Sequence, residues 1–219
     1  MKGIKLIELT NIDFGYPGQK PIFTGLNFSL IEGERIGIIG PNGCGKTTLF
    51  NIIVGFLKPA NGIIKIFGKV RNNEKDFQEV RQRIGYLFQN SDDQLFCPSV
   101  REEIAFGPLN LRWPKDRIKQ TVKEMLELVG LEGFEDRSPY NLSEGEKRRL
   151  ALATVMATKP QVLLLDEPTN GLDEMAVEKI VEILSGHKFS TIVISQDINF
   201  LKKTTDFIYR FSDRQLKRI

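Results

Sequence analysis

Residues 40–48 read GPNGCGKTT, a glycine-rich stretch that directly follows the apolar run RIGII and opens the helical pattern TLFNIIVGF. Its two outer glycines and the Lys46-Thr47 pair have the spacing of a phosphate-binding loop, whose backbone N–H groups and helix N-terminus face phosphates. In such a loop Lys46 places a positive charge between the outer phosphates, and the Thr47 hydroxyl is a ligand of the magnesium ion bound with them. A plain glycine-rich turn is the alternative, which the strand-loop-helix context disfavours. The stretch therefore predicts a nucleotide-binding α/β fold.

The rest of the composition is that of an ordinary globular chain. Its 219 residues include 31 lysines and arginines against 28 aspartates and glutamates, so the net charge of +3 gives no strong push towards nucleic acid. Only two cysteines occur, Cys44 and Cys97, without CxxC spacing, which argues against a disulfide framework or a zinc site. The N-terminal segment lacks the apolar run of a signal peptide or membrane span, and a soluble, cytosolic chain is expected.

Short apolar runs alternate with helical patterns along the chain, which predicts an α/β domain with a mainly parallel central sheet. Core strands are expected at 35–39, 161–165 and 191–195. The segments KLIELTNIDF, LNFSLIEG and NGIIKIF read as half-buried strands of an N-terminal antiparallel β subdomain. Residues 1–219 are expected to form a single domain.

A change of pattern between about residues 90 and 142 predicts an α-helical lobe inserted into the α/β body. The segments SVREEIAF and PKDRIKQTVKEMLELVG carry apolar positions at helical spacing. Residues typical of helix ends bound these segments: Pro98, Pro108, Pro114 and Gly130.

The segment VLLLDEPT (162–169) ends an apolar strand in two adjacent carboxylates. In an open parallel sheet, ligands bind beyond the carboxyl ends of the strands, so Asp166 and Glu167 are expected near the phosphates. Asp166 is placed to hold magnesium through water, and Glu167 to orient or deprotonate the water that attacks the γ-phosphate. The alternative is a helix-capping pair before Pro168.

A third segment, NLSEGEKRRLALATVMA, places Asn141 and Ser143 ahead of a helical pattern. Ser143 and the N–H groups of that helix start form an anion site that the chain's own phosphate loop does not need, which suggests pairing with a second chain. The alternative is a capping box between Ser143 and Glu146, and the segment taken alone favours it. The three motifs together favour the second phosphate site.

Together these residues resemble the ATP-binding subunit of ABC transporters over nearly the whole chain. GPNGCGKTT resembles its phosphate loop, LSEGE its signature, VLLLDEPT its acidic strand and NGLD (170–173) its dimer-contact loop. The stretch FQNSDDQLFCPSVREEIAFGPLNL (88–111) is more narrowly similar to energy-coupling-factor and cobalt-type importer ATPases, which power the uptake of metal ions or vitamins. The implied fold is a P-loop NTPase core with an antiparallel β subdomain and an inserted helical lobe.

The resemblance implies that two subunits sandwich two ATP molecules head to tail, the signature of one chain closing over the γ-phosphate held by the other. The catalytic residues are then Glu167 and Gln196. The residues implied at the Mg²⁺ site are Thr47, Gln89 and Asp166. Tyr16 takes the place of an aromatic residue that stacks on adenine, although alone it reads equally well as a strand-edge tyrosine. The other implied contacts to ATP come from the phosphate loop and the signature: Asn42, Gly43, Cys44, Gly45, Lys46, Thr47, Thr48, Ser143, Gly145 and Glu146.

The implied partners are a second ABC ATPase subunit, identical or similar, and integral membrane transport subunits, with no role for nucleic acid. The protein is then expected at the cytoplasmic face of the cell membrane as a peripheral subunit. A groove near Gln89 is expected to receive the membrane partner, and simple core packing is the alternative for its apolar residues. The residues expected to line it are Leu95, Phe96, Val100 and Phe106.

Gln196, in IVISQD (192–197), stands where the family usually has a histidine that donates a hydrogen bond to the γ-phosphate. A charge-assisted hydrogen bond is worth roughly 1.5 to 3 kcal/mol and a neutral one about half that, so hydrolysis is expected to be about 10-fold slower, or about 100-fold with poor geometry. ATP binding is expected to be retained. His187, the only histidine in the chain, is expected to lie about 30 Å from Gln196, too far to substitute.

The signature also departs from the family pattern. Glu144 replaces the usual glycine and Glu146 the usual glutamine, and both carboxylates are expected to weaken closure on phosphate unless they are screened. The basic run 147–149 is placed to screen them, a solvated helix face being the alternative. The chain stops at Ile219, whereas relatives in the narrower group frequently carry a further dimerising segment, so a weak dimer is expected without nucleotide.

Three hypotheses remain open. The first is a transport ATPase, the second a degenerate partner subunit that closes on ATP but rarely hydrolyses it. The third is a soluble ABC-type ATPase of DNA repair or translation, although such proteins usually show a long coiled-coil insertion or two ATPase units. The implied cargo is a metal ion such as cobalt or nickel, or a vitamin, and no residue motif specifies it.

Overall fold

The computed structural model describes residues 3–186 and 189–219. The expectation about His187 therefore lies outside the described residues. The described strands are β1 (Lys5–Phe14), β2 (Phe23–Ile31), β3 (Arg35–Ile39), β4 (Asn61–Ile66), β5 (Lys69–Val70), β6 (Ile84–Leu87), β7 (Val162–Asp166), β8 (Ser190–Ile194), β9 (Phe207–Ser212) and β10 (Gln215–Arg218). The described helices are α1 (Lys46–Ile53), α2 (Glu74–Arg81), α3 (Val100–Asn110), α4 (Lys115–Val129), α5 (Glu144–Ala157), α6 (Glu174–Ser185) and α7 (Ile198–Thr204).

Six strands form the central sheet in the order β10-β9-β3-β8-β7-β6. All neighbouring pairs from β9 to β6 are parallel, and only the β9–β10 hairpin is antiparallel. Every residue of β7 and β8 is buried, because one face of these strands packs in a core with α1 and the antiparallel sheet and the other face packs in a core with α3 to α7. The prediction of a mainly parallel central sheet is confirmed.

The N-terminal half of the chain builds a second, antiparallel sheet in the order β2-β1-β4-β5. Buried and exposed residues alternate along much of β1 and β2, as expected for strands with one face in the core. Phe23 joins the two sheets, since its ring packs 5.5 Å from that of Phe211 in β9. The predicted antiparallel subdomain is therefore present and packs on the same hydrophobic core as the parallel sheet.

The stretch between β6 and β7 contains α3 and α4, and both helices pack against α5. The expectation that Pro108 bounds a helix is wrong, because α3 continues through it to Asn110. Proline lacks an N–H, but at Pro108 the missing donor removes only one hydrogen bond, in the last turn of the helix. The Pro108 carbonyl still accepts a hydrogen bond from the Trp113 N–H at 3.1 Å. Gly130 does end α4, in the left-handed conformation that glycine favours.

Candidate nucleotide-binding site

The loop between β3 and α1 has a shape that requires glycine. Gly45 adopts φ 108°, and a Cβ there would lie 2.3 Å from Cγ2 of Ile22. Gly43 also has a positive φ, 76°. Both backbone conformations are disfavoured for residues with a side chain, so the loop can bring its N–H groups close to a ligand at the start of α1.

Lys46 is folded back across the mouth of this loop. Its side chain is almost fully buried, and Nζ donates to the carbonyl oxygens of Gly40 at 2.7 Å and Pro41 at 3.1 Å. Its positive charge opposes the burial-driven rise in the pKa of Asp166 and Glu167. The ammonium group is thus held between the loop and the two carboxylates, where it can neutralise the outer phosphates of a nucleotide.

Asp166 ends β7 as a buried carboxylate with only 1% of its surface exposed. Burial raises its pKa, while a hydrogen bond with the Thr47 side chain and the charges of Lys46 and Arg148 act in the opposite direction. Its Oδ2 atom has no hydrogen-bond partner among the described residues. An unsatisfied buried carboxylate oxygen beside a threonine hydroxyl fits a hard cation with oxygen ligands, and Gln89 lines the same cleft.

Glu167 is held in an unusual backbone conformation, with φ at 47°. Its N–H donates to the Ile194 carbonyl in β8 at 2.9 Å, and its Oε2 accepts a hydrogen bond from the Gln196 N–H at 3.2 Å. Burial and then the charge of Asp166 raise the pKa of Glu167, and the Gln196 N–H and Lys46 oppose the rise. A glutamate with a raised pKa at the edge of a phosphate site is suited to accept a proton from water.

Gln196 lies directly beside the phosphate loop. Its Nε2 donates to the Gly40 carbonyl at 2.9 Å and to Oδ1 of Asn42 at 3.1 Å. The side-chain amide therefore uses its donors on the loop, while the backbone N–H of the same residue holds Glu167. A histidine at this position would donate from a ring N–H and, unlike the glutamine amide, could carry a positive charge.

Tyr16 lies next to the loop, just after β1. Its hydroxyl is 3.3 Å from Oγ1 of Thr48, and its ring meets that of Phe14 edge-on at 5.1 Å. Cys44, within the loop, is half-buried, and burial raises the pKa of its thiol. Cys44 lines a different cleft from Tyr16, which lines a cleft of about 470 Å³. The residues lining it are Tyr16, Gln19, Ile22, Asn42, Gly43, Gly45, Lys46, Thr47, Thr48, Gln89, Asp166 and Glu167.

The signature residues do not line this cleft. Ser143, Gly145 and Glu146 line a separate cleft of about 660 Å³ together with residues 171–173. The capping box is also present: Ser143 Oγ accepts from the Glu146 N–H at 3.3 Å, and Glu146 Oε2 accepts from the Ser143 N–H at 2.7 Å. The Ser143 N–H thereby holds the pKa of Glu146 below its usual value. The same chain thus has a phosphate loop and a signature that do not meet.

The alternative of a capping pair at Asp166 and Glu167 is wrong. The next helix, α6, begins at Glu174, and its N-cap is Asp173, whose carboxylate accepts from the Ala176 N–H at 2.8 Å. Neither carboxylate of the strand end is used to cap a helix in this way. Both remain available to the cleft.

The three basic residues after the signature have three different environments. Lys147 donates to Asp92 at 2.8 Å and to Glu144 at 3.3 Å, which is the contact that screening of Glu144 requires. Arg149 donates to the Val129 carbonyl at 2.9 Å. A solvated helix face is the wrong interpretation for Arg148, which is 4% exposed and donates to the Phe88 carbonyl at 2.7 Å.

Of the four apolar residues expected to line a partner groove, two are buried and two are exposed. Leu95 and Val100 are buried in the core of the helical lobe, so the expectation that they line the groove is wrong. Phe96 and Phe106 are exposed, 59% and 44%, and their rings stack edge-on at 4.9 Å. An amphipathic helix buries one face and exposes the other, and apolar type alone does not tell which face a residue occupies.

A phosphate-binding loop between a parallel strand and a helix, with two carboxylates at the end of a nearby strand, defines a P-loop nucleoside triphosphatase. Residues 23–170 match the family model described as ABC transporter. The chain belongs to the ABC transporter family, and it is an ATPase of the kind that couples ATP hydrolysis to transport. In the described part of the chain, no helix is both long and apolar enough to cross a membrane.

Individual relatives carry names that are narrower than that of the family. The chain is 42% identical over 215 residues to the energy-coupling factor transporter ATP-binding protein EcfA of Methanothermobacter thermautotrophicus, covering 96% of this chain and 69% of the relative. It is also 42% identical over 215 residues to EcfA of Methanocaldococcus jannaschii, covering 96% and 77%. A putative ABC transporter ATP-binding protein of Brucella suis is 46% identical over 201 residues, covering 92% and 83%.

Solved structures show the same fold. The structure of cbiO1 from Clostridium perfringens, described as part of the ABC transporter complex cbiONQ, matches with a TM-score of 0.88 and 32% identity, covering 98% of this chain and 87% of that one. A dimeric ATP-binding cassette in a post-hydrolysis state, bound to ADP and Pi, matches with a TM-score of 0.84 and 26% identity, covering 97% of each chain. These matches confirm the predicted fold class and the resemblance to the cobalt-type and energy-coupling-factor group.

Proposed function

We propose that this chain is the ATP-binding subunit of an energy-coupling-factor or cobalt-type importer. It binds and hydrolyses Mg-ATP in a head-to-tail dimer and drives uptake of a metal ion or vitamin through membrane subunits. The similarity to EcfA proteins and to a cbiO1 structure supports the importer class. The chain acts as a single domain held at the cytoplasmic face of the membrane by those subunits.

The observation that carries the proposal is that the phosphate loop and the signature of this chain lie in two different clefts. Lys46, Asp166 and Glu167 meet in the first cleft, at the carboxyl ends of the parallel strands. Ser143 lies in the second. A signature can reach a bound γ-phosphate when a second copy, or a similar subunit, presents its second cleft to the first cleft of this chain. The neighbour solved as a dimer with ADP and Pi supports this arrangement.

Each residue in and beside the first cleft then has a distinct task. The backbone N–H groups of the loop and the Lys46 ammonium bind the phosphates, and Tyr16 offers its ring to the adenine. Glu167 accepts the proton of the attacking water and Gln196 donates towards the γ-phosphate. A magnesium ion, when bound, supplies charge neutralisation between the outer phosphates, and Thr47, Gln89 and Asp166 are the residues that would hold it.

Hydrolysis is slow in this proposal, because Gln196 donates from a neutral amide. A second candidate is favoured by the same residue: a partner subunit that closes on ATP and hydrolyses it rarely. The amide of Gln196 is hydrogen-bonded to Gly40 and Asn42, which supports a resting site that must rearrange before catalysis. Glu167, with its raised pKa, supports the active enzyme instead.

The test measures ATP binding and phosphate release of purified wild type, Lys46→Ala and Glu167→Gln. We expect Lys46→Ala to lose ATP affinity by at least about 100-fold, and Glu167→Gln to retain affinity while phosphate release falls by about 100-fold or more. Unchanged ATP affinity in Lys46→Ala would overturn the proposed site. A wild-type rate equal to that of Glu167→Gln would favour the rarely hydrolysing partner.

A further inference from the structure

Arg148 lies in the second turn of α5, but its guanidinium group does not point to solvent. The residue is 4% exposed. It donates from one nitrogen to the Phe88 carbonyl at 2.7 Å and from the other to the Gln89 carbonyl. The second nitrogen also lies 3.4 Å from the carbonyl oxygen of Glu167. One side chain of the signature helix therefore contacts the segments that follow β6 and β7, at the edge of the sheet that carries the cleft.

The acceptors of Arg148 are backbone carbonyls. Its hydrogen bonds therefore fix the position of the backbone at these residues as well as the position of the guanidinium charge. A guanidinium group is a rigid planar fork, so three acceptors held by it keep fixed distances from one another. Two of these acceptors belong to residues whose side chains line the first cleft, Gln89 and Glu167. Burial lowers the pKa of Arg148, and the negative charges of Asp166 and Glu144 oppose that effect.

The backbone of Glu167 needs such support. Its positive φ is unfavourable for a residue with a side chain and persists only where neighbours hold it. The N–H of Glu167 is held by β8 and its carboxylate by the Gln196 N–H. The carbonyl accepts from the Asn170 N–H at 3.2 Å, and Arg148 adds a second contact to it at 3.4 Å.

We propose that Arg148 is a positioning residue that sets the orientation of Glu167 for ATP hydrolysis, because one guanidinium group holds the Glu167 carbonyl together with the carbonyls of Phe88 and Gln89. The inference rests on the proposed role of Glu167 towards the attacking water. Since Arg148 sits five residues after Ser143 on the same helix, a movement of α5 when the signature closes on the partner's ATP is passed to the hydrolytic residues of its own chain. A signature helix thus serves two ATP sites, one through Ser143 and one through Arg148.

The experiment compares steady-state ATPase kinetics of the full chain in wild type, Arg148→Gln and Arg148→Lys. We expect Arg148→Gln to lower kcat about 10- to 100-fold while the KM for ATP changes less than about 3-fold, because a misplaced base affects the chemical step more than nucleotide binding. Arg148→Lys keeps the charge but not the fork, and we expect it to recover only part of the loss.

Arg71 offers a matched control. It is a buried arginine that also donates to backbone carbonyls, those of Ile66 and Asp76, but it lies in the antiparallel part of the molecule, outside the first cleft. We expect Arg71→Gln to lower the melting temperature and leave kcat and KM unchanged. A general loss of packing would instead lower activity in Arg71→Gln and Arg148→Gln alike.

A double variant tests whether Arg148 acts through Glu167. In the Glu167→Gln background, we expect Arg148→Gln to lower the residual rate by less than about 2-fold, since the two substitutions disable one function. An unchanged kcat in folded Arg148→Gln, or an equal loss in both backgrounds, would overturn this inference alone. If Arg148→Gln melts too low for assay, Arg148→Lys decides by the same criteria. A wild type that neither binds nor hydrolyses ATP would overturn the proposed function as well.

Discussion

Gln196 shows how a single residue can set a rate without changing a fold. The variant Gln196→His restores a donor that can carry positive charge, and we expect phosphate release to rise about 10-fold with ATP affinity unchanged. The measurement is steady-state phosphate release at saturating ATP. Gln196→Ala is the control, since it removes the amide, and its rate is expected below that of wild type. A histidine variant no faster than wild type would show that another step limits turnover.

The buried carboxylate of Asp166 links the site to stability. Burial raises its pKa in the folded protein above the unfolded value, so its ionisation lowers stability as the pH rises through the folded pKa. Asp166→Asn removes that ionisation. We therefore expect the variant to melt at or above the wild-type temperature at pH 8, with a difference that shrinks as the pH falls towards the ordinary aspartate pKa of about 3.9.

Thermal melts between pH 8 and pH 4 check this prediction. Asp136→Asn is the control, since its side chain is 87% exposed and pairs with Arg101 on the surface, where ion pairs contribute little. It should show no comparable pH trend. A destabilised Asp166→Asn at pH 8 would mean that the charge of Asp166 is needed to balance Lys46.

Some residues of the site could be read from the sequence and others could not. The loop from Gly40 to Thr48 and the pair Asp166-Glu167 are recognisable because the chemistry requires fixed residue types at short spacing. The burial of Arg148 is not recognisable in the basic run 147–149, for which the sequence predicts screening of Glu144 and Glu146 or, alternatively, a solvated helix face. The acceptors of Arg148 lie 60 and 19 residues away in sequence, so no local pattern reveals its burial.

The helix α5 combines a cap with a binding surface. The Glu146 carboxylate accepts from the N–H and hydroxyl of Ser143, the same groups that the signature would offer to a phosphate. In the Glu167→Gln background, we expect Glu146→Gln to lower the concentration needed for ATP-dependent dimerisation about 3- to 10-fold, because a carboxylate no longer competes with the phosphate. Analytical ultracentrifugation with ATP measures this.

Glu144→Gln provides the matched control for that experiment. It removes a charge from the same first turn, but Glu144 contacts Lys147 and not Ser143. We expect a smaller effect on dimerisation. A weaker dimer for Glu146→Gln would show that the capping box orders the signature for ATP. The loss of about 0.3 to 1 kcal/mol of helix stabilisation would then outweigh the removal of the competing carboxylate.

Strands that coincide with a short apolar run of the sequence were predicted well. β3 has the bounds expected from its apolar run, and β7 and β8 differ from expectation by one residue at each end. β6 and β9 were missed, since IGYL is only four residues long and FIYRFS carries an arginine within the run. Both become strands by pairing with buried neighbours, β7 and β3, which tertiary contacts decide.

At the scale of the whole molecule, the exposed pair Phe96 and Phe106 marks a surface for the proposed membrane subunits. The groove of about 680 Å³ that includes Gln89 and Thr47 is not lined by either phenylalanine. We expect a Phe96→Ser, Phe106→Ser variant to lose co-purification with the proposed membrane subunits, because the apolar contact is removed. Its melting temperature and its ATPase rate in isolation should stay close to those of wild type.

Ile63→Ser is the control for that variant, since Ile63 is equally exposed, 53%, but lies on the antiparallel sheet. It should co-purify as wild type does. Retained co-purification of the double phenylalanine variant would place the membrane contact elsewhere. The fold class is predictable from the sequence, whereas the face that meets a partner depends on which apolar residues the helical lobe leaves outside.

The separation of the two clefts on one polypeptide also has a genetic consequence. If every complete site takes one half from each copy, a defective allele harms the normal product with which it assembles, and its phenotype should be dominant. Conversely, an allele damaged only at Lys46 and another damaged only at Ser143 should rescue each other in part when expressed together, because mixed assemblies rebuild one intact site.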